Sequence, residues 1–318
     1  MRDNMDNPAA NDITFTVFIP TYNRAHTLTR ALDSIHNQGF RDFEVVIVDD
    51  GSTDGTKKLV EEWNEKSGLP VTYIWQHNQG KHAAHNAGAA LAKGSLFITL
   101  DSDDMLAPRA LEIFKSYWED IPENERQQFA GIEGLCALLE DGRIDGDRFP
   151  EDIFDSNFLE IRKRFGIRGD KKNAIRTELV KANPYPMFEG EKHFRPGLLW
   201  ERLAHQYKFR YINEVVQIIE KQPGGISSDR LKLRTSNPRG FHYYFLESVN
   251  FHYQYDSPKS LYRNYVRLVR YALHAGIGYI DQYKEVRHKG YWLLAVFTGT
   301  LEWLGDRIRI RERRRKRD

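Results

Sequence analysis

Cysteine is almost missing from these 318 residues: Cys136 stands alone, which excludes an internal disulfide and fits a reducing compartment. Long apolar runs are missing too. No uncharged stretch approaches the roughly 20 residues that cross a bilayer. Residues 1–12 are polar and lack the basic and then apolar regions of a secretory signal, so a disordered or irregular start is expected. Location is expected to be cytoplasmic, at most peripheral at the inner face of a membrane. No internal repeat or long low-complexity segment occurs before the basic end. Basic residues are concentrated at that end, so nucleic-acid binding is not expected.

The rest is an ordinary globular composition, 40% hydrophobic and 29% charged, with ample material for a core. The length suits one large or two modest domains. The net charge of +2 hides an asymmetry. Between Arg307 and Asp318 eight basic residues face two acidic ones, so this tail carries +6 and the body −4.

Short runs rich in β-branched and aromatic residues at 15–19, 43–48, 71–75 and 96–100 read as strands. Leu28, Ala31, Leu32 and Ile35 carry the i, i+3, i+4, i+7 spacing of a helix with one buried stripe, and Ala84, Ala87, Gly88 and Leu91 repeat it. Apolar strands alternating with such helices predict an α/β fold with a parallel sheet covered on both faces. Ligands then bind at the carboxyl ends of the strands. Three polar clusters, Thr21-Tyr22-Asn23, Asp49-Asp50-Gly51-Ser52 and Asp101-Ser102-Asp103, fall at such ends and should converge. Beyond 107 the pattern loosens. Helices are expected at 111–118 and 198–207, strands at 131–139 and 211–219, a charged loop-rich stretch at 141–172, and an aromatic, helical region after Gly225.

Each cluster has a chemical and a structural reading. Asp101 and Asp103 present two carboxylates where a strand emerges, suited to Mg²⁺ or Mn²⁺ and a polyphosphate, or simply to a solvated turn. Pro20-Thr21-Tyr22-Asn23-Arg24 opens a helix whose free amides favour an anionic ligand, or is a proline-led turn. In Asp49-Asp50-Gly51-Ser52-Thr53-Asp54 a carboxylate could accept the ring N–H of a pyrimidine, while Ser52 or Asp54 caps the next helix. Lys81 could face a phosphate or a base, or be solvated. His77, His82 and His85 lack the further ligands of a zinc site and read as loop or helix-face histidines.

Together these motifs, with Asn78-Gln79-Gly80-Lys81, Asn86-Ala87-Gly88 and Asp104, resemble family 2 glycosyltransferases of the GT-A (Rossmann-like) fold. The resemblance is strong over 15–108. It implies a GT-A domain at 13–230, with a donor half at 13–108 and an acceptor half at 109–230, then a helical, aromatic-rich extension at 231–306 and the basic tail at 307–318. It implies that Thr21 and Tyr22 line the nucleotide site, with Asn23, Arg24, Asp49, Lys81 and Ser102 beside them. By the same likeness Asp50 meets the base, Asp101 the ribose side, and Asp103 the metal. UDP is the expected donor nucleotide and inversion the expected outcome.

Glu189-Gly190-Glu191-Lys192, followed by 199–204, resembles the family's acceptor half, which supplies the catalytic base. Lys192 replaces the usual second acid, so Glu191 is the expected base and Glu189 its reserve. Transfer requires neutralisation of a leaving diphosphate and a carboxylate within reach of the acceptor hydroxyl. That acceptor is expected to be a saccharide or lipid-linked. A sugar nucleotidyltransferase would need a glycine-rich loop after the first strand, and 20–26 contains no glycine. A non-catalytic nucleotide-sugar-binding scaffold is the other alternative. The apolar 291–304 and the tail read either as a segment on an anionic membrane surface or as a packed helix with a solvated end. The donor sugar, the linkage and the role of Glu220, which precedes 222–228, are not legible.

Overall fold

A computed structural model describes residues 13–221 and 229–315. The expected irregular start at 1–12, the loop at 222–228 and the last three tail residues lie outside the described residues.

The N-terminal part is built from β1 (Phe15–Thr21), α1 (Ala25–His36), β2 (Phe43–Asp49), α2 (Thr56–Ser67), β3 (Val71–Trp75), α3 (Lys81–Leu91) and β4 (Leu96–Thr99). β1 and β2 are buried along their whole length, as strands covered on both faces should be. The α1 stripe of Leu28, Ala31, Leu32 and Ile35 is fully buried, and each of its leucine and isoleucine side chains contributes about 1.5–3 kcal/mol. Helix α3 reaches β1 closely through Gly88, where a Cβ would lie 2.3 Å from the Phe18 ring. Any larger residue would push the helix off the sheet.

Next come β5 (Met105–Leu106), α4 (Ala110–Glu119), β6 (Phe129–Leu138), β7 (Ile153–Ser156), β8 (Lys171–Arg176), α5 (Thr177–Ala182), α6 (Gly197–Leu203) and β9 (Lys208–Ile219). Among the described residues one sheet runs β3-β2-β1-β4-β8-β6-β9-β5, with β7 on β9. β1 to β4 pair in parallel, but β8 is antiparallel to both β4 and β6. The sheet is therefore mixed rather than wholly parallel. The stretch 141–172 is also more ordered than its composition suggested, since it supplies β7 and a π-helical turn, Glu160–Arg164.

The remainder is helical: α7 (Arg230–Thr235), α8 (Pro238–Phe251), α9 (Pro258–His274), α10 (Tyr279–Glu285) and α11 (Lys289–Arg315). It shares one apolar cluster with the part of the chain before it, where Phe194, Leu198 and Leu199 meet Phe241, Tyr244 and Phe245. α11 continues through Arg307 without a break, so the described part of the tail is helix. Asp306 pins it to α9, accepting Arg270 Nε and Nη2 at 2.6 Å each and contacting His274 Nε2 at 3.0 Å.

Candidate active site

β1, β2 and β4 end side by side, and the chain beyond each end carries one polar cluster. Asn23, at φ +51°, turns the chain between β1 and α1. Its amide donates to Ser52 Oγ at 2.8 Å, and its Oδ1 accepts from the Thr53 amide at 2.8 Å. Asp54 accepts from Ala25 N at 3.1 Å and Thr56 N at 3.0 Å, serving the first turns of α1 and α2 together. The first and second clusters are thus one bonded unit. Thr21 is buried with its hydroxyl unpaired, whereas Tyr22 is half exposed.

Asp49 is completely buried and receives Ser52 N at 2.7 Å and Tyr73 Oη at 2.8 Å. Its burial and the Asp49 carboxylate push the Tyr73 phenol up. Asp50 is buried as well. Its Oδ1 accepts from Gln76 Nε2 at 2.7 Å and Gln79 N at 2.9 Å, and its Oδ2 from Gly80 N at 2.7 Å. Asp50 therefore holds the turn that delivers Lys81. Gly80 in that turn has φ +95°, and a Cβ would sit 1.9 Å from the Lys192 carbonyl oxygen. The Gly80 turn and the loop carrying Lys192 pack there backbone to backbone.

Lys81 Nζ meets Asp101 Oδ1 at 2.6 Å, and Arg24 Nη2 stands 3.8 Å from Asp103 Oδ2. Carboxylate oxygens of Asp101, Asp103 and Asp104 all lie within 4.8 Å of one another. Asp104 was not singled out as a ligand from the sequence, although its place beside Asp103 was the available signal. It is buried and oriented by β9, accepting from Gln217 Nε2 at 2.7 Å. Burial and the charges of Asp101 and Asp103 push its carboxyl up to about 7. Burial would raise Asp101 too, but Lys81 and Lys172 hold it below its ordinary value. Ser102 lies buried within the cluster. Three carboxylates so close need cations, and an all-oxygen set suits a hard divalent ion. Among the described residues no histidine joins such a cluster. His85 instead packs edge-on against Phe18, Phe97 and Tyr185, and its burial beside Lys81 lowers it to about 3.

Glu191 lies in the loop that holds Lys192, next to Gly80's contact. It is buried, its Oε1 accepts from Arg239 N and its Oε2 from Gly240 N, both at 2.8 Å. These amides belong to the first turn of α8, where unpaired donors favour a carboxylate. The neighbouring amides of Lys192 and His193 donate to Asn237 Oδ1. The His193 ring stacks on Phe241 with no hydrogen bond among the described residues, and burial, His82, Arg195 and Lys81 lower it to about 4. Glu220 binds Arg30 of α1 at 2.5 Å, and its amide donates to Asp104 at 3.3 Å.

The arrangement has the GT-A architecture of nucleotide-sugar enzymes. Residues 16–124 match the profile of glycosyl transferase family 2, so this part of the chain is a domain of that family. An uncharacterized glycosyltransferase of Nostoc sp. is 40% identical over 142 residues, 43% of each chain. A Campylobacter jejuni protein named GalNAc(5)-diNAcBac-PP-undecaprenol beta-1,3-glucosyltransferase is 31% identical over 211 residues, 64% of this chain and 63% of that one. The chain thus spans less than two thirds of these relatives. Two solved structures share the fold. One is S. aureus TarS with UDP-GlcNAc, at TM-score 0.58 and 20% identity over 89% of this chain and 79% of that one. The other is a Pyrobaculum calidifontis mannosyltransferase with GDP-Man and Mn²⁺, at 0.52 and 20% over 93% and 88%.

Proposed function

We propose that the protein moves a sugar from a nucleotide-diphosphate donor to an acceptor hydroxyl, with inversion and dependence on Mn²⁺ or Mg²⁺, in polysaccharide or glycoconjugate synthesis. The observation that carries this reading is the convergence of three carboxylates with Lys81 and Arg24 beside the β1 and β2 turns, inside a family 2 domain. Asp103, with Asp101 and Asp104 beside it, would hold the cation. The cation would stabilise the charge developing on the leaving diphosphate. Lys81 and Arg24, now set against carboxylates, can turn to phosphate oxygens when the cation takes their place. Thr21, Tyr22 and Asn23 bound the nucleotide pocket. Asp49 and Asp50 shape its floor, and Asp50 reaches the base only through the turn it holds.

UDP is favoured by the likeness to a UDP-GlcNAc-binding neighbour, although another neighbour binds GDP-Man. A lipid-linked acceptor is supported by the name of the Campylobacter relative. An anionic membrane surface is a proposed partner of the basic tail.

The proton acceptor is proposed to lie in the loop carrying Glu191. Glu191 is the carboxylate candidate. A second candidate is His193, because both Glu191 oxygens already accept amides while the His193 ring is unbonded and held neutral. Substitution of the base should cost far more turnover than substitution of the other candidate when both variants are assayed well below their unfolding midpoints, and the comparison of His193→Ala with Glu191→Gln assigns it.

Release of nucleoside diphosphate from a panel of UDP- and GDP-sugars, with and without Mn²⁺, tests the function. Mn²⁺-dependent release, lost in Asp103→Asn, is expected. No release under either condition would leave a binding scaffold. Pyrophosphate release from a nucleoside triphosphate and a sugar 1-phosphate would point to a nucleotidyltransferase instead.

A further inference from the structure

Helix α11 is apolar on two opposite faces, and among the described residues only one of them is packed. Trp292, Ala295, Gly299 and Asp306 are buried, and Gly299 packs on Val269 of α9. On the far side Leu293, Leu294, Phe297, Leu301, Leu304 and Ile308 are all exposed, Leu294 by 69% and Phe297 by 72%. At 100° per residue these six fall within one sector opposite the packed face. The stripe is about 22 Å long at 1.5 Å per residue. No charged residue interrupts it. Glu302 and Asp306 turn to Arg270, and Arg307 lies over the Trp303 ring at 5.0 Å. Helix α10 widens the patch, for Tyr279 bonds Thr300 at 2.9 Å and Ile280 beside it is 72% exposed.

We infer that α11 and α10 form an in-plane anchor that seats this apolar stripe in an anionic lipid bilayer. Charge decides for lipid over a second copy of the chain. Lys284, Arg287 and Lys289 outnumber Asp281 and Glu285 at one end of the stripe, and Arg307, Arg309, Arg311 and Arg315 outnumber Glu312 at or beyond the other. Each end is basic on balance, so two stripes paired in either direction set like charges together. An anionic surface satisfies both ends while the leucines enter the acyl boundary. The helix lies on the bilayer and does not cross it. No described helix is apolar enough to span, and the Arg270–Asp306–His274 cluster ties its other face to α9. The binding element is thus the stripe, with the arginines as its electrostatic rim. It does not depend on the proposed transfer reaction.

Co-sedimentation of the full chain with phosphatidylcholine vesicles containing about a third phosphatidylglycerol tests this. Binding is expected there and not to pure phosphatidylcholine. Phe297→Asp with Leu301→Asp should weaken it by about tenfold or more, and Arg309→Gln with Arg311→Gln should lower its salt sensitivity. These side chains are exposed, so unchanged thermal unfolding is expected and verifies the fold. Wild-type binding that the aspartates leave unaltered would overturn the inference, as would no wild-type binding. A wild-type dimer by light scattering that the aspartates dissociate would assign the stripe to a second copy and overturn it too.

Discussion

At the scale of single residues, position in the sequence motif and physical role separate most clearly at Asp50. The motif offers it to a ligand. The structure has it accepting three protein hydrogen bonds, with the turn before Lys81 depending on them. Asp50→Ala is expected to leave buried donors unpaired and to cost about 2–4 kcal/mol, read from the urea midpoint at constant slope. Nothing near Asp50 in the sequence reveals that amides 29 and 30 residues away point at it. Asp103 has no such internal duty. Asp103→Asn should leave the urea midpoint within about 0.5 kcal/mol while transfer falls by about a hundredfold or more. A restored rate at high Mn²⁺ would locate the loss in ion binding.

At the scale of elements, Glu191 belongs to α8 as much as to its own loop. A glutamine there keeps one acceptor but turns an NH₂ toward an amide N–H. Glu191→Gln is therefore expected to lower stability by about 1–3 kcal/mol, measured by thermal unfolding, whatever it does to turnover. A variant of unchanged stability would mean that the α8 turn does not need the carboxylate.

The α9–α11 contact carries a pH dependence. Burial would raise the Asp306 carboxyl, but Arg270 and His274 hold it below its ordinary value, and burial lowers His274. The His274 contribution is complete above its unfolded value near 6.5 and fades below it. The Asp306 contribution is complete above about 3.9 and is lost as pH falls through the depressed folded value. Acid should thus loosen α11 in two stages, and Asp306→Asn should remove the lower one in a pH series of unfolding midpoints. The N-terminal strands and helices were legible because the strands are short, near-continuous apolar runs and the helices repeat at 3.6 residues. β7 was not, since Ile153 is exposed and the strand exists only through its distant partner β9. For α11 the apolar content was plain, but a helix apolar on both sides does not reveal which face is buried.

At the scale of the whole molecule, two halves meet where the Gly80 turn lies on the Lys192 backbone. Gly80→Ala would force a Cβ into that contact at positive φ, so a loss of about 2–3 kcal/mol or more is expected, together with loss of nucleotide binding. The convergence of the three clusters was legible because strand ends in a parallel α/β unit share one edge. Their cross-bonding through Asn23, Ser52 and Asp54 was not, because no local pattern encodes a contact about 30 residues away. All these contacts serve one arrangement, in which, on the proposed function, Asp101, Asp103 and Asp104 would hold a divalent ion beside the donor diphosphate. The free Mn²⁺ electron paramagnetic resonance signal, followed as protein is added in the presence of UDP, tests it most directly. Loss of signal corresponding to one ion per chain, abolished in Asp103→Asn, is expected. Equal signal with wild type and variant would contradict it.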